Sequence, residues 1–91
     1  MEHKATIKSI GETIHVSDKF QKREFIVEDN SSTYPQTNIF QLVQDKCDVI
    51  DSFKPGDEVK VMFNLTGREW TNAQGEVKVF NTLSAWSVVK I

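Results

Sequence analysis

Arg68 and Trp70 stand two residues apart in the run Leu65–Trp86, LTGREWTNAQGEVKVFNTLSAW. On a β-strand that spacing puts both side chains on one face. A guanidinium contacts phosphate, and an indole ring offers a flat apolar surface on which a nucleobase stacks, worth roughly 1–3 kcal/mol per base. Beyond a polar turn at Asn72–Gly75, Phe80 follows Lys78 on a second aromatic strand and extends the platform. The run predicts a protruding hairpin that sets cations beside aromatic faces, the combination by which single-stranded nucleic acid is held.

Each of these residues also has a plainer reading. Trp70 could pack within the hairpin or against a second copy, and Arg68 could form a solvated cross-strand pair with Glu76 or Glu69. Such a pair is worth about a few tenths of a kcal/mol. A small barrel needs large side chains inside, which favours the core for Phe80 and core or barrel closure for Trp86. Tyr34, beside Pro35, either stacks on a base or packs at a strand start. Lys22 and Arg23 point to opposite faces of a regular strand, and Lys22 is the one expected to line a groove; Lys60 lies in the outward phase of its strand.

Nothing in the chain predicts catalysis. His3, His15 and Cys47 lack the spacing of metal ligands, and Asp45, Asp48 and Asp51 fit a solvated helix face. There is no glycine-rich phosphate loop and no nucleophile with a recognisable base. The expectation is a protein that is not an enzyme, with no cofactor and no metal.

The chain has 91 residues, enough for one domain (1–91) with a modest core. Hydrophobic residues make up 38% and charged residues 26%, which suits a globular fold rather than a disordered chain. No stretch is apolar for long enough to cross a membrane, the N-terminus lacks a signal-peptide core, and lone Cys47 cannot form an internal disulfide. The expected location is the cytoplasm, or the host cytoplasm if the chain is phage-encoded. A net charge of −2 predicts weak long-range steering towards nucleic acid, since binding faces are usually basic. It does not exclude a locally basic groove.

The elements that must position the hairpin can be read by periodicity. Residues 4–16 form a strand bent at Gly11, and Val16–Lys19 reads as a hairpin loop before a second strand over 20–28, with Phe25 and Val27 on one face. After the polar run Asp29–Ser32, a third strand reaches about Val43 with Phe40 and Leu42 inward. Residues 45–53 predict the one helix: Asp45 as N-cap, Cys47, Ile50 and Phe53 packed inward, and Lys54-Pro55-Gly56 as the stop. Residues 58–66 alternate strictly, with Val59, Val61, Phe63 and Leu65 inward, and the last strand begins at about Val77. A short helix between strands three and four of a five-stranded chain predicts an all-β OB-fold, a Greek-key barrel.

From Phe53 onwards the chain resembles bacterial single-stranded DNA-binding proteins. The likeness rests on the strand-opening turn Lys54–Val59, on Arg68-Glu69-Trp70-Thr71-Asn72-Ala73-Gln74-Gly75 against the family's R-x-W-T-[DN]-x-x-G, and on the strand Phe80–Val88. Including Gly11-Glu12-Thr13, Lys22-Arg23-Glu24 and Gln44–Asp48, the whole chain is similar to a family of short bacterial and phage OB-fold proteins. The resemblance implies a sequence-tolerant single-stranded DNA-binding protein of replication, repair or recombination; the residues themselves set Lys22, Tyr34, Lys60, Arg68, Trp70, Lys78 and Phe80 as the expected DNA contacts. Two departures stand out. The cellular proteins end in an acidic partner-recruiting tail, whereas this chain ends at Ile91, so recruitment by that route is expected to be absent. They also carry tryptophans on strands two and three, where the nearest counterparts here are Phe20 and Tyr34.

A short single-barrel site with few cations implies a homo-oligomer, dimer or larger, for useful affinity. The alternative is an OB-fold protein-interaction module, such as a replication accessory subunit with little or no nucleic-acid binding. Negative net charge favours it, and the Arg68–Trp70 hairpin disfavours it.

Overall fold

A computed structural model describes residues 1–91. Six strands form one sheet: β1 (Glu2–Ile10), β2 (Ile14–Ser17), β3 (Phe20–Asp29), β4 (Gln36–Val43), β5 (Glu58–Thr71) and β6 (Val77–Lys90). A 3-10 helix, Gln44–Ser52, joins β4 to β5. The strand order is β1-β5-β6-β4-β3-β2, and β1 also pairs with β3. That last pairing closes five of the strands into a ring, with β2 as an outlying ribbon on β3. Closure between β4 and β6 is slight, a single parallel bridge at Gln41 and Ser84.

The expected bent first strand is two strands separated at Gly11–Thr13. At Gly11 the backbone donates from its N–H to the carbonyl of Glu24 at 2.8 Å, and a Cβ would lie 2.9 Å from that same oxygen. Only glycine permits this approach without a shift. A bulge between Ile7 and Ser9 turns the strand further, so β1 can pair with β5 over its first half and with β3 over its second.

The alternating apolar residues fill the ring. Ile7, Phe25, Val27, Phe40, Leu42, Val59 and Val61 are fully enclosed, and Ile50 of the helix closes one end. Phe40 lies 5.6 Å from Phe25, stacked, and 5.0 Å from Phe63, edge-on. Burial of such a ring makes Phe40→Ala costly, on the order of 3–5 kcal/mol.

Three expectations are corrected here. Asp45 does not cap the helix: Val43, in extended conformation, occupies the cap position, and no side chain caps the N-terminus. The chain turns directly from strand into helix at Gln44, whose φ is +54°. Left-handed backbone costs a non-glycine residue about 1–2 kcal/mol. Gln44 is held there by the β2–β3 ribbon, because its Nε2 donates to the Lys19 carbonyl and its own carbonyl accepts from Gln21 Nε2.

Leu65 is not in the core but 57% exposed. Its strand runs on to Thr71, as the phase of Arg68 and Trp70 requires, and the ribbon has left the ring by Leu65. Trp86, expected in the core or at barrel closure, is 45% exposed. It is the extra residue of a bulge in β6: Met62 pairs with Ser87 and Phe63 with Ala85, so Trp86 has no partner. Ala85 and Val88 take the inward positions on either side.

Candidate nucleic-acid interface

Strands β5 and β6 pair continuously from Val59/Lys90 to Thr71/Val77, and residues 64–71 and 77–81 are all exposed. The outer part of this hairpin therefore projects about 20 Å past the core. Its turn is tightly specified. Asn72 Oδ1 accepts from the backbone N–H groups of Gln74 and Glu76, Asn72 N–H donates to the Glu76 carbonyl, and Gly75 sits at φ +83°.

Register decides what the hairpin displays. Arg68 faces Phe80, Trp70 faces Lys78, and Thr66 faces Thr82 across the two strands. Directly opposed residues share a face, with Cβ atoms about 4.5–5.5 Å apart and diagonal neighbours about 7–8 Å apart. One face thus carries a lattice with aromatic rings on one diagonal and cations on the other. Arg68, Trp70, Phe80 and Thr82 line an open groove of about 470 Å³. Trp70 is 50% exposed and Phe80 54%, so Phe80 is not a core residue either. The ring interior needs no aromatic at this height, because the ribbon has already passed beyond it.

Arg68 makes no ion pair; the ion pairs are His3–Asp29, Arg23–Asp51 and Lys60–Glu2. The expected pairing with Glu76 or Glu69 is not formed; Glu69, next to Arg68 on β5, is in the opposite phase, facing Val79. The reverse face carries Leu65, Val77 and Val79, all exposed.

The other expected contact residues lie elsewhere. Lys22 is outward on β3, beside Ile14 and Val43. Arg23 is occupied: Nε donates to the Gly11 carbonyl at 2.8 Å, and Nη1 donates to the Cys47 carbonyl and to Asp51. It ties the helix to the β1–β2 bend, leaving Lys22 as the outward cation of that pair. Lys60 is outward on β5, opposite Lys4 and Val89 and 4.0 Å from Glu2. Eight residues separate it from Arg68, about 26 Å along a strand. Tyr34 is 78% exposed in the β3–β4 loop, with its carbonyl accepting from Ser32 and Gln36. It is no packing residue. Because β4 runs parallel to β6, that loop lies at the end of β4 that points the same way as the hairpin turn.

The structure thus brings together Arg68, Trp70, Lys78 and Phe80, and does not add Lys22, Lys60 or Tyr34 to them. Sequence reasoning missed the exposure of Trp86, for which the only signal was its phase with Phe80.

A family model described as Domain of unknown function (DUF3127) matches residues 2–89. No curated protein sequence matches the chain. Among solved structures it is similar to the mitochondrial single-stranded DNA binding protein Rim1 of S. cerevisiae, with a TM-score of 0.73 and 12% identity, over 100% of this chain and 92% of that one. It is also similar to the second single-stranded DNA binding protein of Mycobacterium smegmatis, with a TM-score of 0.68 and 20% identity over 99% and 85% of the two chains. A Plasmodium falciparum SSB in complex with ssDNA gives 0.62 at 14% identity over 100% and 92%. At these identities the likeness establishes the fold, which is the OB-fold. It spans the whole chain rather than the region after Phe53 alone.

Proposed function

We propose that this chain, which belongs to the family described as Domain of unknown function (DUF3127) and has the OB-fold, is a sequence-tolerant single-stranded DNA-binding protein of replication, repair or recombination. The observation that carries this reading is the outer face of the β5–β6 hairpin. Two exposed rings, Trp70 and Phe80, alternate there with two cations free of acidic partners, Arg68 and Lys78. Rings accept any base by its flat face and cations accept any phosphate, so binding follows without reading base edges. The names of the structural neighbours support it at the level of fold. The protein holds unwound DNA open and performs no chemistry, acting in the cytoplasm of its cell or host.

We take it to work as a homo-oligomer, dimer or larger. Two cations on one hairpin hold a short stretch of DNA weakly, and linking sites raises avidity without new contacts. Exposed Leu65, Val77 and Val79 on the reverse face supply apolar surface for self-association.

Quenching of tryptophan emission by oligo-dT at two salt concentrations tests the binding reading. Trp70→Ala is expected to cost roughly 1–3 kcal/mol of affinity with the fold intact. Arg68→Ala should lower the magnitude of the log–log salt slope by about 0.7. Duplex DNA should bind much more weakly, since its bases cannot reach the ring. If both variants bind like the parent, or duplex binds equally well, the hairpin is not the site. The second reading, a protein-interaction module, draws on the net charge of −2 and the apolar reverse face; it requires no quenching up to high micromolar DNA.

A further inference from the structure

We infer that Trp86 is a second base-stacking platform, at the far end of a continuous single-strand track along the outer face of β6. The inference rests on the proposed DNA-binding function and extends it from one site to a path with two centres.

Phase is the first ground. Lys78, Phe80, Thr82, Ser84 and Trp86 alternate along β6, while Leu83 and Ala85 point to the core. Trp86 is therefore the last residue in outward phase with Phe80. The bulge at Trp86 then resets the alternation so that Val88 returns inward. Bulges commonly re-aim a side chain in this way. Without it, the alternation that makes Trp86 outward would also turn Val88 out of the core.

Chemistry along the path is the second ground. The neighbouring β5 residues on this face are Trp70, Arg68, Thr66 and Asn64, opposite Lys78, Phe80, Thr82 and Ser84. From hairpin turn to bulge, this two-strand lane contains no carboxylate, in a chain with 13 acidic residues. Two acids flank the lane from neighbouring strands: Glu24, which shares a depression with Asn81 and Thr82 between β4 and β6, and Glu2, which pairs with Met62 beside the bulge. Lys78 and Trp86 are eight residues apart, about 26 Å along a strand.

The third ground is the placement of the two cations remote from the hairpin. Met62 pairs with Ser87 next to Trp86, and Lys60 is one outward step beyond Met62. On the other side, the bridge Gln41–Ser84 sits one outward step from Trp86 on β6 and one from Val43 on β4, and Lys22 pairs with Val43. Lys60 and Lys22 thus flank Trp86 from either side, Lys60 with Glu2 at 4.0 Å as the partner that a phosphate would replace. A strand that stacks on Trp70 and Phe80 and follows β6 reaches Trp86 between two phosphate-binding ammonium groups.

The chain has two tryptophans, so each can be made the sole reporter. In Trp70→Phe, leaving Trp86, oligo-dT long enough to fill an OB-fold site, about 8–16 nucleotides, should quench emission. The midpoint should match the anisotropy change of the labelled oligonucleotide. In Trp86→Phe, leaving Trp70, an oligo-dT of about four nucleotides, the short end of OB-fold sites, should already quench. Trp86→Ala should weaken the long oligonucleotide roughly five-fold or more and leave the short one unchanged, with Trp86→Phe restoring most of the loss. Lys22→Gln with Lys60→Gln should likewise affect only the long one. The inference is overturned if DNA binds and quenches Trp70 while Trp86 emission stays constant, or if Trp86 emission responds only to protein concentration, the mark of a self-association contact. If no oligonucleotide changes anisotropy at all, the DNA-binding reading fails and the track fails with it.

Discussion

Single side chains in this protein separate into those that hold the fold and those that remain free for a ligand. Arg23 and Lys22 are neighbours of like charge, yet Arg23 spends its donors on Gly11, Cys47 and Asp51 while Lys22 faces outward. Cys47 is fully enclosed, and burial, with the charge of Asp48 adding, pushes its thiol above the ordinary 9.0. The thiolate is the reactive form. Native protein should therefore resist a disulfide reagent at mildly alkaline pH and react promptly only once denaturant unfolds it; equal rates in both states would contradict the burial.

Asp29 gives the pH dependence a direction. Hydrogen bonds from Ser31, with a smaller contribution from His3, hold its carboxyl below the ordinary 3.8. A depressed carboxylate stabilises the fold above its unfolded pKa, and that contribution is lost as pH falls through the folded one. Asp29→Asn should be less stable than the parent near neutrality, and the difference should shrink in denaturant titrations below pH 3.8. A difference that persists unchanged in acid would mean that the charge is not what matters.

Among the elements, the β5–β6 hairpin is the one whose order can be changed without touching the core. Its outer residues are all exposed, and its geometry rests on the Asn72 hydrogen bonds and the left-handed Gly75. A β-branched residue at φ +83° costs about 1–3 kcal/mol, whereas asparagine tolerates that region. Gly75→Val should reduce amide-exchange protection from about Leu65 outward and weaken DNA binding, while the melting temperature changes little and Gly75→Asn behaves like the parent. A large fall in melting temperature would show that the hairpin and ring unfold as one unit. The helix has a different role: Cys47 and Ile50 plug the ring, so its lack of a side-chain cap is offset by burial.

At the scale of the whole molecule, the two faces of the hairpin differ: one sets two cations beside two aromatic rings, and the other exposes Leu65, Val77 and Val79 with Glu69 among them. Self-association through the reverse face would bring several copies of the Arg68–Trp70 face, the proposed DNA site, together. Light scattering should give a mass above the 10.4 kDa of one chain at micromolar concentration, and Val79→Lys should lower it. A mass of 10.4 kDa throughout that range would rule the assembly out. With a net charge of −2, association with DNA should show little electrostatic acceleration at low salt, even though each bound phosphate adds to the salt dependence of affinity.

What could be read before any tertiary contact was known is what local periodicity encodes. Alternation identified Phe25 with Val27, Phe40 with Leu42, and Val59 with Val61 as sharing inward faces, and the apolar spacing of Cys47 and Ile50 identified the face that closes the ring. It also placed Arg68 beside Trp70 and Lys78 beside Phe80, because residues two apart on a strand share a face whatever the rest of the chain does. Alternation does not say what stands opposite that face. Leu65 continues the pattern of Val59 and Val61 without a break, yet β1 pairs with β5 only as far as Met62, and Leu65 lies beyond the ring with most of its side chain exposed. Trp86 reads as core by size, but the alternation from Phe80 turns it out, and one extra residue in β6 relative to β5 then brings Val88 in. That Lys60 and Lys22 lie far from the hairpin rings, and on either side of Trp86, was fixed by register and strand order, which join residues distant in the chain through hydrogen-bond ladders that no local pattern records.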